Sequence, residues 1–348
     1  MVQKTRQVAL KEHSTTLPVW RLTQMEQALF LPSTRSFRDI TALPAQWRET
    51  LDASDTFVAY QSVHVFGSKK RDTFKALLEL KDGKRIETVL MKNSRDQYSV
   101  CVSTQVGCAM ACTFCATGTM GFTRNLTSDE IVDQYRFWMY YLADHPEITE
   151  RISNVVYMGM GEPLANYDQV KQSLQMLLKY TDLGPTRITV STVGLVPMLE
   201  FLLKDPEWPP VRLAVSLHSA DPQTRQEIMP TSYPEFLEKL GNWTKKYFAK
   251  FDSKRRHLTF EYIMLSGVND TAAHAEHLIR FARQVGKVRI NLIPYNYTSE
   301  RYTKSTEGGI ARFQTLLEKV GIDVTRRRTR GEDIAAACGQ LVVEEKKD

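Results

Sequence analysis

The pattern of apolar and polar positions changes character twice along the chain. Residues 17–51 read as short helices broken by Pro and Ser, with Met25, Ala28, Leu29 and Phe30 as apolar anchors. From residue 57 to 90 the pattern becomes that of strands, with runs at 73–80 and 85–90 on either side of Asp82-Gly83, a strong hairpin signal. Beyond the hairpin, strand and helix patterns alternate, which predicts a parallel sheet with crossover helices. The first strand, 99–104, is followed by a helix that opens on the capping box Thr127-Ser128-Asp129-Glu130 and repeats Ile131, Tyr135, Trp138, Met139 and Leu142 on one face. Further strands are predicted at 154–157, 187–191, 211–216, 259–264 and 288–293, giving six strand-helix units. The expected organisation is a helical unit (1–56), a β-hairpin extension (57–97), an α/β core (98–341) and a solvated tail (342–348).

The ends of the predicted core strands carry the unusual residues. They are Gly159-Met160-Gly161-Glu162-Pro163, Ser191-Thr192-Val193-Gly194, Ser216-Leu217-His218-Ser219 and Pro294-Tyr295-Asn296. In parallel α/β folds, ligands gather at the carboxyl ends of strands, so a small-molecule site is expected on that rim. Directly after the first strand comes Cys108-Ala109-Met110-Ala111-Cys112-Thr113-Phe114-Cys115, then Ala116-Thr117-Gly118. Three thiols in C-x3-C-x2-C spacing on one loop suit three irons of a cubane cluster, since thiolates are the preferred ligands of iron-sulfur iron. A closed zinc site normally takes four protein ligands. No fourth lies nearby, so one iron of a cluster held here would stay open for substrate.

Composition narrows the class. The 348 residues carry a formal charge of +6 and a pI near 8.9, a modest excess that favours an anionic partner. The positive charge clusters at Lys69-Lys70-Arg71 and at Arg326-Arg327-Arg328-Thr329-Arg330; a solvated face is the plainer reading of each. No apolar run of membrane-spanning length and no signal-peptide pattern is found, so a soluble, cytoplasmic chain is expected. Five cysteines, three of them in one loop, do not form a secreted disulfide framework. Cys101 and Cys338 lie outside that loop, where a buried small hydrophobe is the commonest fate of a free cysteine. Cys338 sits among small residues just after the arginine run, beside a place where RNA phosphate would be held.

The combination of C-x3-C-x2-C-A-T-G, M-G-M-G-E-P, S-L-H-S, G-V-N-D (267–270) and D-I-x-A-A-C-G-Q-L (333–341) resembles the radical S-adenosylmethionine (radical SAM) RNA adenine methyltransferase family typified by RlmN and Cfr. The resemblance covers residues 57–341, with a weaker fit over the helical N-terminus. It implies a partial (β/α)6 TIM-like barrel and a 4Fe-4S cluster on Cys108, Cys112 and Cys115. SAM contacts would come from Gly161, Glu162, Ser191, Ser216, Leu217, His218 and Asn296, although His218 reads equally well as a core histidine. The resemblance further implies two SAM molecules per turnover: Cys338 takes a methyl from the first, and the second yields a radical that activates that methyl for addition to adenine. Cys101 then frees the product through a transient disulfide with Cys338, and a glutamate before the first core strand takes the proton. By position that glutamate is Glu87, with Glu79 the other candidate. Implied partners are rRNA or tRNA, touched by Arg326, Arg327, Arg328, Arg330 and the N-terminal unit, and an electron donor such as flavodoxin; the chain is expected to be a monomer.

The route suits its target. C2 and C8 of adenine are electron-poor and do not attack a sulfonium methyl, whereas radical addition to them is open. Pro163 leans towards C2 methylation, since C8-methylating relatives can carry alanine there. The segment after Asn296, Tyr297-Thr298-Ser299-Glu300-Arg301-Tyr302, departs from the proline often found in the family. Two other readings compete: a non-catalytic RNA-binding protein with zinc in the cysteine loop, and a radical SAM enzyme acting on a small molecule or protein.

Overall fold

A computed structural model describes Arg6 and residues 19–53, 57–148, 150–251 and 258–342. Ten strands form one sheet, each hydrogen-bonded to the next. These are β1 (Tyr60–Gly67), β2 (Thr73–Leu80), β3 (Arg85–Lys92), β4 (Tyr98–Cys101), β7 (Ile152–Tyr157), β8 (Ile188–Thr192), β9 (Arg212–Ser216), β10 (Leu258–Met264), β11 (Arg289–Pro294) and β12 (Asp323–Arg326). β5 (Gln105–Gly107) and β6 (Phe122–Asn125) pair separately.

The first four strands are antiparallel, and every pairing from β4 onward is parallel. Helices Ser128–Asp144, Tyr167–Tyr180, Val196–Lys204, Phe236–Lys250, Ala272–Val285 and Glu307–Glu318 supply the crossovers. Since β1 and β12 end the order without meeting, the parallel part is an open, TIM-like partial barrel. Its inner strand β10 is buried on both faces, with only Thr259 less than fully buried, whereas the edge strand β12 is largely exposed.

The Asp82-Gly83 hairpin forms as expected, with Gly83 at φ +77° and Glu79 opposite Arg85. The capping box at Thr127 also forms, its hydroxyl accepting from Glu130 N while the Glu130 carboxylate accepts from Thr127 N. Two expectations need correction. β4 stops at Cys101 rather than running to 104: the Val102 amide still reaches Val156 O of β7, but Ser103 and Thr104 spend theirs on the Gln134 side chain and Met160 O, outside the strands. Those bonds turn the chain off the ladder and into the cysteine loop. β12 is a seventh parallel strand that the pattern did not predict.

The N-terminal helices Val19–Ala28 and Ala45–Ala53, with the turn that follows the first, bury Met25, Leu29 and Leu51 in the same continuous core as Trp138, Trp243 and Phe260. Arg6 and Arg136 are buried on helix Ser128–Asp144 by Asp129 and Asp133, with Arg6 Nη2 2.8 Å from Asp133 Oδ1. Residues 17 and 18 and the tail beyond Val342 lie outside the described residues. Among the described residues no helix is long and apolar enough to cross a membrane.

Candidate active site

β5 and β6 are the arms of the cysteine loop, closed by Cys108 N donating to Gly121 O at 2.7 Å. Cys115 N returns to Cys112 O, and Gly118 packs so closely on that carbonyl that a Cβ would lie 2.8 Å from it. Only glycine fits. Ala116 N donates to Gly339 O at 2.7 Å and Thr117 Oγ1 to Leu341 O at 2.6 Å, so the Ala-Thr pair clasps the segment that carries Cys338.

All three thiols line a cavity of about 150 Å³. Burial raises each, Cys108 to about 11, and Cys112 is raised further by its two neighbours. Metal binding takes protons from such thiols. Among the described residues no three His, Cys, Asp or Glu side chains converge on a point as a single metal ion requires. Three thiols facing one shared cavity fit the wider spacing of a cubane cluster.

Gly161, Glu162, Ser191, Ser216 and His218 line the same cavity. Gly161, at φ +102°, leaves no room for a Cβ, which would meet Gln105 Cβ at 2.6 Å. The Glu162 carboxylate accepts from Leu164 N (2.9 Å) and Val193 N (2.8 Å), tying the ends of β7 and β8 together. Burial nevertheless pushes it up to about 7 against those bonds. His218 Nδ1 accepts from Ile263 N at 3.0 Å, which leaves the proton of the neutral ring on Nε2. Burial, with Arg225 nearby, lowers it to about 3, so His218 stays neutral at physiological pH. Leu217 is fully buried and contributes main chain, its N donating to Glu261 O.

A second cavity, of about 370 Å³, lies next to the first and is lined by Cys101, Asn296 and residues 326–330. Met158, Arg327 and Cys338 border both. Cys338 Sγ accepts from Arg327 Nη1 at 3.0 Å, the electropositive contact that suits a reacting thiol, while Arg327 Nη2 reaches Met158 Sδ at 2.9 Å. Burial lowers Arg327, but Cys338 and Glu261 more than offset it, so the guanidinium stays charged. Asn296 Nδ2 donates to Cys338 O at 3.0 Å, and its buried Oδ1 has no partner among the described residues. Burial raises Cys101 to about 12, against the pull of Arg327. All five cysteines are free thiols, so no Cys101–Cys338 bond is formed here.

The four arginines are not equivalent. Arg327 is turned inward, Arg326 pairs with Glu307, Arg330 pairs with Asp72 at 2.8 Å, and Arg328 is exposed. Glu87 lines neither cavity; its carboxylate meets Lys75 Nζ at 2.8 Å and Val342 N at 3.0 Å. Glu79 meets Gln61 and Arg85 near the hairpin turn. Sequence reasoning missed Met158, Glu261 and the inward position of Arg327. An acid inside the apolar run of β10 was a usable signal for Glu261, which is fully buried, raised by burial and bonded to Asn291 Nδ2 at 2.8 Å.

Residues 102–282 match the Radical SAM superfamily. The chain is 42% identical over 337 residues, 94% of its length and 90% of the relative's, to the "Dual-specificity RNA methyltransferase RlmN" of Desulfotalea psychrophila. It is 37% identical to the "Ribosomal RNA large subunit methyltransferase N" of Nitrosopumilus maritimus, covering 92% of each. The crystal structure of a radical SAM methyltransferase from Sphaerobacter thermophilus superposes with a TM-score of 0.87 at 35% identity, covering 97% of both chains. A partial barrel with three thiols at its rim and this match define a radical SAM enzyme. Within that class the chain belongs to the RlmN family of RNA methyltransferases.

Proposed function

We propose that this enzyme methylates C2 of an adenosine in 23S rRNA and in tRNA, with Cys338 as the carrier of the methyl group. The observation that carries this reading is the place of Cys338, a residue in the walls of both cavities at once. One cavity has the cysteine loop and strand-end loops that suit SAM; the other has Cys101 and the basic run that suit RNA. A sulfur between them can take a methyl from one side and present it to the other.

When bound, the cluster and SAM supply an electron, delivered by a reductant such as flavodoxin, and a carbon radical able to take hydrogen from a methyl group. The chain's own residues do the rest. Cys338, held by Arg327 and Asn296, would as thiolate take the methyl of a first SAM: its new carbon–sulfur bond forms as the sulfonium's breaks, and the neutral thioether leaves. Glu162 and the neutral His218 fix the strand ends around SAM. After the carrier carbon has joined adenine, Cys101 attacks the Cys338 sulfur, forming a transient disulfide as the carbon–sulfur bond breaks. Glu87 is the proton acceptor on this reading, and freeing its carboxylate requires it to leave both the Lys75 ammonium and the Val342 amide. The enzyme acts as a cytoplasmic monomer.

Nucleoside mass spectrometry of rRNA and tRNA from cells with and without the gene tests the reading. The expected result is 2-methyladenosine in both RNAs, lost on deletion and not restored by Cys338→Ala. Appearance of 8-methyladenosine instead would move the target to C8, and an unchanged nucleoside profile would overturn the proposal.

A further inference from the structure

Arg225 is a deeply buried cation with no carboxylate beside it among the described residues. It lies on the short helix Pro222–Ile228 and is 1% exposed. Its guanidinium donates to main-chain carbonyls alone: Nε to Leu217 O at 3.1 Å, and Nη2 to Val193 O at 2.9 Å and Ser216 O at 3.2 Å. Its face lies over the Phe236 ring, 3.5 Å from the centroid. Carbonyl dipoles and one ring offset only part of the several kcal/mol that burying an ion costs. Buried charges in proteins are ordinarily paired, so the missing anion needs an account.

The geometry indicates where the anion belongs. The helix of Arg225 is the floor under the cysteine loop: Ile228 O accepts from Thr113 N at 3.0 Å and from Thr113 Oγ1 at 3.2 Å. Ile228 and Met229 pack in one apolar cluster with Met110, Cys112 and Phe114. Cys112, the neighbour of Thr113, is the cysteine whose thiolate form would favour the charged guanidinium.

We propose that Arg225 is the built-in counter-cation of the cysteine loop, neutralised by the thiolates of an assembled 4Fe-4S cluster and favouring the cluster's reduced form. The inference rests on the three-cysteine assignment made above. Three thiolates leave a cubane cluster net anionic, and reduction adds one more negative charge. A fixed cation in surroundings that exclude water stabilises the more negative state, so it raises the reduction potential. Arg225 touches neither substrate nor reacting atoms; it is a positioning residue.

Arg225→Met removes the charge, whereas Arg225→Lys keeps it and loses the fork of hydrogen bonds. Each is compared with wild type, metal-free and after anaerobic cluster reconstitution, by iron and sulfide content, redox titration followed by electron paramagnetic resonance, and urea unfolding. The expected result is that Arg225→Met lowers the reduced-to-oxidised ratio at fixed poise by roughly tenfold or more, while Arg225→Lys stays near wild type. Reconstitution should also stabilise wild type more than Arg225→Met, since the metal-free chain carries the unpaired charge. Equal destabilisation of both variants in both states, with an unchanged potential, would reduce Arg225 to a tie between strand ends. Should Arg225→Met fail to fold when reconstituted, a low potential in Arg225→Lys as well would overturn the charge argument, and a wild-type potential there would support it. A wild-type chain that takes up no iron overturns the three-cysteine assignment itself, and iron content tells that failure apart.

Discussion

Cys101 ends β4 with its carbonyl accepting from Thr88 Oγ1 at 2.8 Å, and that hydroxyl in turn accepts from Trp138 Nε1 at 3.1 Å. The backbone is therefore pinned while the thiol is left at the cavity it shares with Cys338. A buried sulfur with a packing role alone would be replaced by alanine at a cost of about 1 kcal/mol, and turnover would continue. A thiol that releases product behaves differently. With Cys101→Ala, Cys338 still becomes methylated and still adds to adenine, but nothing breaks the bond between enzyme and RNA. The variant purified from cells should run on a denaturing gel as a shifted band that ribonuclease removes and that is missing from the Cys101→Ala, Cys338→Ala double variant. Free methylated RNA in normal yield would leave Cys101 a packing residue.

At the scale of elements, β12 decides what the arginine run does. Arg326 is the last residue in register with β11, opposite Leu292, and Arg327 N still donates to Leu292 O. The period-two alternation of an extended chain therefore sends Arg326 out to Glu307, Arg327 in to Cys338 and Arg328 out to solvent. Arg328→Ala should flatten the salt dependence of RNA binding by up to about one unit of slope, the loss of one phosphate contact. Arg327→Met should leave that slope unchanged and slow alkylation of Cys338 by iodoacetamide at neutral pH, which would place the two neighbours on different tasks. A reduced slope in Arg327→Met would put it back among the phosphate contacts. This division was not legible in the sequence. Asp323-Val324-Thr325-Arg326 is short and polar, and becomes a strand only by pairing with β11, a non-local contact that no periodicity reports. The Asp82-Gly83 hairpin, the Thr127 capping box and the glycine-rich strand ends were legible because their causes are local. The Ala-Thr-Gly after Cys115 was visible as a motif, but its reason, the clasp on Gly339 and Leu341, lies more than two hundred residues away.

For the whole molecule, two residues on one cavity wall set opposing dependences of stability on pH in the metal-free chain. Glu162 has its folded-state pKa raised from 4.5 to about 7 by burial, and His218 has its own lowered from 6.5 to about 3 by burial and Arg225. Between those two reference values, folded Glu162 holds a proton that the unfolded chain has lost, so its share of stability falls as pH rises. Folded His218 lacks a proton that the unfolded chain holds, so its share rises with pH. Each slope is about 1.4 kcal/mol per pH unit, and the signs are opposite. The two therefore cancel between about pH 5 and about pH 6.5, and each variant should uncover the other. Relative to wild type, His218→Asn, which tolerates the left-handed backbone at this position (φ +55°), should lose stability as pH rises through that window. Glu162→Gln should gain stability over the same window, again by about 1.4 kcal/mol per unit. Urea unfolding of the metal-free, reduced proteins at both ends of the window measures the differences. Variant curves that run parallel to wild type would show that neither group changes its protonation on unfolding, and the opposition of charge on the cavity wall would have to be abandoned.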